Sequence, residues 1–195
     1  IARPGGGLRA EEGAPLRGEV CYVPQRPYNA LGSLSDQLTY PSVLPGGLPR
    51  EELRRWLRLV GLEHLMDSLP CTESLLCTPL SDKDTDSVVD WGAYLSLPEQ
   101  QAFGFARLLY HCPRFAILDE CTSALDADFQ ERLYRMAREL GITYVTMARR
   151  PALQEHHTSV LRLTGNPLED SGGWSLSELL PRRPPAGAAN DRIKE

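Results

Sequence analysis

The chain has 195 residues, 42% of them apolar, which is typical of one globular domain and excludes disorder throughout its length. Its formal net charge of −5 argues against a surface built mainly to bind nucleic-acid phosphates. The five scattered cysteines have neither zinc-site spacing nor the density of a disulfide scaffold, and no apolar run approaches the length of a membrane span.

The start of the chain is predicted to be irregular and then to form one short strand. Residues 1–17 are rich in Gly, Pro, Arg and Glu and show no apolar periodicity. The β-prone run Glu19–Val23 predicts a strand ending at Gln25, because Pro24 cannot donate to a sheet ladder. Residues 41–49 then form a linker rich in proline and glycine.

The middle of the chain predicts helices on either side of a polar loop. A helix over residues 51–60 is predicted to end at Gly61, with one apolar face made of Leu53, Trp56, Leu57 and Val60. A second short helix is expected over residues 62–69, and residues 70–89 form a variable surface loop. The helical pattern resumes over residues 95–110.

The last third alternates strands and helices. Phe115–Leu118 is wholly apolar, as is typical of a buried parallel strand, and Asp128–Leu140 is an amphipathic helix. Strands are predicted at Thr143–Met147 and, as the last one, at Ser159–Leu163, with irregular chain after residue 165. This order predicts a parallel α/β sheet.

Two carboxylates follow the most apolar of these strands. Asp119 and Glu120 would lie at the carboxyl edge of the sheet, where open α/β folds bind ligands. In P-loop ATPases the first such carboxylate holds Mg²⁺, and an adjacent acid can orient or deprotonate the attacking water. By themselves the two residues could equally cap the next turn.

Several motifs in a fixed order carry a family resemblance. Leu95-Ser96-Leu97-Pro98-Glu99-Gln100-Gln101, then the strand ending in Asp119-Glu120, then Thr122-Ser123-Ala124-Leu125-Asp126, are similar to the signature helix, Walker B strand and D-loop of ABC ATPases. Upstream, Tyr22–Tyr28 and Gly32–Pro41 resemble the Q-loop region of subfamily D transporters.

The resemblance implies a partial P-loop NTPase fold. It is an α/β parallel sheet with a helical signature subdomain, and the N-terminal part is missing. The implied parts are an irregular stretch at 1–17, the core strand and Q-loop at 18–41, the helical subdomain at 42–112, the Walker B, D-loop and switch core at 113–165, and a mostly irregular tail at 166–195.

The resemblance also implies a site for ATP and Mg²⁺. Asp119 would bind Mg²⁺, Glu120 would be the general base, and Gln25 would contact the metal or the water and couple to the membrane domain. Nucleotide held by the opposite subunit would meet a second group of residues, namely Ser96, Leu97, Pro98, Glu99, Gln100 and, across the interface, Asp126. Taken singly, Gln25 is a turn residue, Ser96 an ordinary N-cap, and Asp126 the start of a helix.

The sequence departs from the family at three places. It contains no Gly-x-x-x-x-Gly-Lys-Ser/Thr loop to hold the β- and γ-phosphates, and its two lysines, Lys83 and Lys194, follow no glycine. Pro98 replaces a signature glycine and lacks a backbone donor. Arg149 stands where a switch histidine is expected; it can bind phosphate but stays protonated.

The expected function is therefore the C-terminal part of a transporter's ATP-binding domain, inactive by itself. It would pair with a second nucleotide-binding domain in a homo- or heterodimer and with a transmembrane domain, without nucleic acid. Family substrates are fatty acyl-CoA or similar hydrophobic molecules. The family membrane is peroxisomal, with plastid or bacterial inner membranes as alternatives, and the domain faces the cytosol.

The competing hypothesis is a degenerate, non-catalytic module that pairs with an intact subunit and regulates it. An unrelated Rossmann enzyme is disfavoured, because no Gly-x-Gly-x-x-Gly follows a strand.

Overall fold

The computed structural model describes residues 19–68, 90–163 and 173–179. The chain divides into two compact units, 1–149 and 150–195. The predicted N-terminal loop and the 70–89 loop lie outside the described residues. The division of the chain into a core and a helical subdomain stays a prediction.

A parallel sheet forms the centre of the first unit. Its strands are β1 (Val20–Val23), β2 (Phe115–Asp119) and β3 (Thr143–Met147), with β2 in the middle. Both strand pairs are parallel. The two later strands confirm the sequence prediction, whereas β1 ends at Val23 and not at Gln25, because Pro24 already lacks the donor that a further ladder bond needs.

The two faces of this sheet differ in exposure. Along β2, Ala116 and Leu118 are buried, while Ile117 between them is 38% exposed. The predicted buried strand is therefore buried on one face only. On the exposed face Ile117 has Tyr22 and Val145 as its register neighbours, and both are also exposed. This alternation is the period-2 pattern of a strand covered on one side.

Six helices accompany the sheet in the described part of the first unit: α1 (Leu34–Thr39), α2 (Arg50–Leu59), α3 (Leu65–Ser68), α4 (Trp91–Tyr94), α5 (Leu97–His111) and α6 (Ala127–Glu139). Helices α2, α3, α5 and α6 confirm the sequence predictions to within a few residues. Helices α1 and α4, of six and four residues, were missed because neither carries a repeated apolar period.

Helix α5 is the packing centre. It contacts α1, α2, α6 and β1, and it buries residues around most of its circumference, among them Phe103, Phe105, Ala106, Leu108 and Leu109. Burying a large apolar side chain contributes about 1.5–3 kcal/mol, so this helix supplies much of the hydrophobic stabilisation. It ends at His111, and its C-cap Cys112 has a left-handed φ of 43°.

A glycine of α5 lets the segment after β1 approach this helix closely. A Cβ added at Gly104 would lie 2.8 Å from Cγ and 3.0 Å from Cβ of Pro27. Real Cβ atoms essentially never approach other atoms to less than 3.0 Å. Gly104 therefore fixes how closely the chain around Pro27 packs on α5.

The second unit contains a 3₁₀ turn (Pro151–His156) and an antiparallel pair, β4 (Ser159–Leu163) and β5 (Trp174–Glu178). The predicted strand at Ser159–Leu163 is confirmed, but it is not the last one. Strand β5 was missed, and its large apolar side chains Trp174 and Leu176 are exposed.

Candidate functional site at the carboxyl edge of the sheet

Three site residues predicted from the sequence follow strands that end at the same edge. Val23 pairs with Leu118 and Asp119 pairs with Met147, so the carboxyl ends of β1, β2 and β3 lie side by side. Gln25, Glu120 and Arg149 each follow one of these ends within two residues. The parallel register therefore assembles one edge from three distant parts of the chain.

Asp119 is half-buried and is held by a residue of the neighbouring strand. The Tyr22 hydroxyl donates a 2.8 Å hydrogen bond to Oδ2 of Asp119. This hydrogen bond raises the pKa of Tyr22, so its hydroxyl keeps its proton and remains a donor. The sequence analysis included Tyr22 in the Tyr22–Tyr28 motif but did not assign it a role.

Glu120 has an uncommon backbone conformation. Its φ is +47°, in the left-handed region that non-glycine residues seldom adopt. The conformation is held by its amide, which donates to the Met147 carbonyl (2.9 Å), and by its carbonyl, which accepts from the Ser123 amide (3.1 Å). Backbone of this kind persists only where neighbouring bonds enforce it, and it is concentrated at functional sites.

The Glu120 side chain forms an ion pair with Arg149. Nε of Arg149 lies 3.4 Å from Oε1 of Glu120, and the Arg149 side chain is 95% exposed. Exposed pairs of this kind contribute little to stability. The pair nevertheless places the permanent positive charge of Arg149 beside the Glu120 carboxylate, which is the predicted general base.

Gln25 has an exposed side chain, and its carbonyl is tied to α5. Nε2 of Gln101 donates to that carbonyl at 2.9 Å. Further along, Nη1 of Arg107 donates to the Tyr28 carbonyl at 2.9 Å, and Nδ2 of Asn29 lies 3.3 Å from Oε1 of Gln100. The segment predicted to be a Q-loop is therefore fastened to α5 by side chains of that helix.

The N-terminus of α5 interacts with a carboxylate of its own chain. The backbone amide and hydroxyl of Ser96 donate to Oε2 of Glu99 at 2.8 and 2.5 Å. The other oxygen of Glu99 lies 3.0 Å from Nε2 of His64. Burial opposes ionisation of Glu99, but the hydrogen bonds from Ser96 and His64 outweigh it and hold the pKa of this carboxyl below its usual value. A phosphate that approached Ser96 would have to displace Glu99.

This arrangement predicts a pH-dependent stability. A carboxyl group whose pKa is lower in the folded chain stabilises the fold above its unfolded pKa, and that contribution is lost as the pH falls through the folded pKa. We expect the free energy of unfolding to fall less steeply on acidification in Glu99→Gln than in the wild type. Urea titrations across a pH series measure this, with exposed Glu139→Gln as the matched control; equal slopes in all three proteins would contradict it.

The remaining predicted signature residues have identifiable local roles. Leu97 is exposed, and Pro98 lies in the first turn of α5, where a missing donor is tolerated. Nε2 of Gln100 donates to the carbonyls of Gly92 (3.0 Å) and Leu95 (2.8 Å), which joins α4 to α5. Asp126 is the N-cap of α6, its Oδ1 accepting from the Phe129 amide at 2.8 Å.

A surface cavity is lined by some of the predicted residues and not by others. Pro98, Glu99 and Asp126 line a cavity of about 520 Å³ together with Phe129 and Arg132. Asp119, Glu120, Gln25 and Arg149 are not among its lining residues. The predicted site is therefore in two parts, one at the edge of the sheet and one beside the start of α5.

Similarity to named transporters shows the family of the chain. It is 43% identical to ABC transporter D family member 1 of Arabidopsis thaliana over 169 residues, covering 84% of this chain and 11% of the relative. It is 39% identical to ATP-binding cassette sub-family D member 3 of Homo sapiens, covering 77% and 22%, and 37% identical to the lysosomal cobalamin transporter ABCD4 of Mus musculus, covering 82% and 24%. The chain belongs to subfamily D of the ABC transporters. No protein-family model matches it.

The fold comparison agrees with this assignment. A bacterial Atm1-family ABC exporter with ATP bound superposes with a TM-score of 0.55 at 22% identity, covering 75% of this chain and 23% of the exporter. The predicted family and the partial ABC ATPase fold are confirmed. The chain spans roughly a tenth to a quarter of the length of the named subfamily D relatives.

The oxygen ligands at the sheet edge fit the Mg²⁺ that subfamily D transporters imply. Mg²⁺ usually takes one or two carboxylates, substrate phosphates and several waters in place of a full protein cage. Asp119 offers such a carboxylate, already oriented by Tyr22. Within residues 19–68, 90–163 and 173–179 no three His, Cys, Asp or Glu side chains are grouped as metal ligands, and no helix is long and apolar enough to span a bilayer.

Proposed function

We propose that this chain is the C-terminal part of an ATP-binding domain that couples ATP hydrolysis to transmembrane transport. The observation that carries the proposal is the assembly of Asp119, Glu120, Gln25 and Arg149 at the joined ends of three parallel strands. The ion pair between Glu120 and Arg149 and the bond from Tyr22 to Asp119 support a single site at that edge.

The residues at the sheet edge would have different roles in hydrolysis. Bound Mg²⁺ would neutralise phosphate charge. Asp119 would bind that ion through a carboxylate oxygen, and Glu120 would take the proton of the attacking water. Gln25 would help to position that water.

The signature region would act on a second subunit. Ser96 and its neighbours through Gln100 would face the γ-phosphate held by that subunit, and Asp126 would lie across the interface. The amide and the hydroxyl of Ser96 both donate to Glu99. For Ser96 to bind a phosphate of the second subunit, these two hydrogen bonds would have to break, and Glu99 would keep only its contact with His64.

These 195 residues do not include a phosphate-binding loop. Neither Lys83 nor Lys194 follows a glycine, and no Gly-x-x-x-x-Gly-Lys-Ser/Thr is present. We therefore propose that the chain by itself binds ATP weakly and does not turn it over.

We also propose a substrate class and a membrane for the parent transporter. The parent transporter would move fatty acyl-CoA or a similar hydrophobic molecule, with this domain on the cytosolic side of the peroxisomal membrane. Among the relatives, one is described as chloroplastic and another as a lysosomal cobalamin transporter, so compartment and substrate differ within the subfamily. Localising the tagged parent transporter at peroxisomes would support the choice of membrane, and localisation elsewhere would contradict it.

The trans role of Ser96 can be tested by mixing. We expect this chain to stimulate γ-phosphate release by a subfamily D nucleotide-binding domain that carries its own phosphate-binding loop. Ser96→Arg should abolish the stimulation because its side chain would fill the phosphate site, whereas Ser175→Arg, at an exposed serine of β5, should preserve it. Stimulation that survives Ser96→Arg would contradict the trans role.

The ion pair of Glu120 favours a second candidate function. A permanently charged guanidinium 3.4 Å from the proposed base suits a non-catalytic module that pairs with an intact subunit and regulates it. In a chain supplied with a phosphate-binding loop, Arg149→His would then raise turnover, because a neutral imidazole leaves the carboxylate free to accept a proton. Unchanged turnover in Arg149→His would remove this support.

A further inference from the structure

One buried glutamine side chain bonds to three separate segments around the proposed site. Gln101, in the second turn of α5, is fully buried. Its Nε2 lies 2.9 Å from the Gln25 carbonyl, 3.1 Å from Oγ of Ser123 and 3.4 Å from the Glu120 carbonyl. Its Oε1 accepts from the Ala124 amide at 2.8 Å.

The orientation of this amide is fixed by its partners. The Ala124 amide can only donate and the Gln25 carbonyl can only accept, so the oxygen and nitrogen of Gln101 cannot be exchanged. The oxygen and the nitrogen of the side-chain amide are therefore both hydrogen-bonded. Removing it would take a hydrogen-bond partner from part-buried backbone groups in two segments at once.

The partners of Gln101 belong to different parts of the chain. Gln25 follows β1, Glu120 follows β2 in a left-handed conformation, and Ser123 and Ala124 lie in the loop before α6. Two other buried glutamines, by contrast, each form side-chain hydrogen bonds to a single residue. Gln37 bonds the amide and carbonyl of Ala30, and Gln130 bonds the carbonyl and hydroxyl of Thr122.

We infer that Gln101 is a positioning residue that couples Gln25, Glu120 and the 123–124 loop, so that a shift of one segment is transmitted to the others. Its catalytic meaning rests on the proposed function, because these segments carry the general base and the Q-loop glutamine. The coupling itself requires only the hydrogen bonds of one buried amide, which is a contiguous physical link between the segments.

The test measures amide hydrogen exchange in the full chain. Gln101→Met keeps the volume and removes every hydrogen bond, and Gln37→Met is the matched control for losing a buried glutamine. We expect faster exchange at Ala124 and Arg26 in Gln101→Met beyond any global change. Arg26 reports on Gln25 because its amide shares a peptide unit with the Gln25 carbonyl. A uniform rise, equal in both variants, would overturn the proposal.

A double-mutant cycle separates coupling from simple destabilisation. Ser123→Ala should change exchange at Arg26 by about twofold or more with Gln101 present, and should have no effect there in Gln101→Met. The same effect in both backgrounds would overturn the proposal. If Gln101→Met does not fold, an unchanged Arg26 amide in Ser123→Ala alone would overturn it. The readout uses no nucleotide, so failure of the coupling and failure of ATP chemistry are distinguishable.

Discussion

Replacing Gly104 by alanine is expected to lower the free energy of unfolding by about 1–3 kcal/mol, the usual cost of overpacking a filled core. Helix propensity alone predicts the opposite sign, because alanine in a helix interior is better than glycine by about 1 kcal/mol. The added Cβ would lie 2.8 Å from Cγ of Pro27, and a proline ring cannot rotate away. Chemical denaturation measures the change.

A second substitution tests whether Pro27 is the cause. Pro27→Gly removes the two atoms that the new Cβ would approach to 3.0 Å or less. In that background Gly104→Ala should cost less, because residues in contact have non-additive effects. An equal cost with and without Pro27, or a gain in stability from Gly104→Ala, would show that close packing of this segment on α5 is not what the glycine provides.

The second large effect concerns Glu120. We expect Mg²⁺-dependent ATP hydrolysis when the phosphate-binding loop and its flanking elements from a subfamily D relative are joined ahead of Ile1. Glu120→Gln in that fusion should lower kcat by about 10²–10⁴-fold, the usual contribution of a general base. The glutamine keeps the size of the side chain but cannot take a proton from water.

The matched control is Glu139→Gln, an exposed glutamate near the end of α6, which should leave kcat unchanged. If hydrolysis by the fusion were insensitive to Glu120→Gln, the proposed base would be wrong. If the fusion bound ATP without hydrolysing it and Arg149→His restored turnover, the chain would be the regulatory module instead.

The sequence predicted the elements whose pattern is distinctive. The amphipathic face of α2 keeps one period over several turns, and β2 is marked by an uninterrupted apolar run. Motif order then identified the family, which no single element could have done. The short helix α1 left only a local signal, Ser33 three residues before Asp36, whose bonds form its N-terminal cap.

The partners of the site residues were not predictable from spacing. Tyr22 reaches Asp119 only because β1 and β2 pair in one particular register, and the two residues are 97 positions apart. Gln101 stood within the signature motif, but its burial and its bonds to Gln25 and Ala124 depend on how α5 packs. The bonds between Ser96 and Glu99 form a capping box whose spacing is visible in the sequence, but the contact of Glu99 with His64 depends on packing and was not predictable.

We propose that this chain contributes the metal and water side of an ATPase site without a loop that holds the phosphates. Release of γ-phosphate from radiolabelled ATP with Mg²⁺, by the 195-residue chain and by its Glu120→Gln variant, tests this proposal. We expect equal, background release from both proteins. Robust hydrolysis by the unmodified chain that Glu120→Gln abolishes would contradict it.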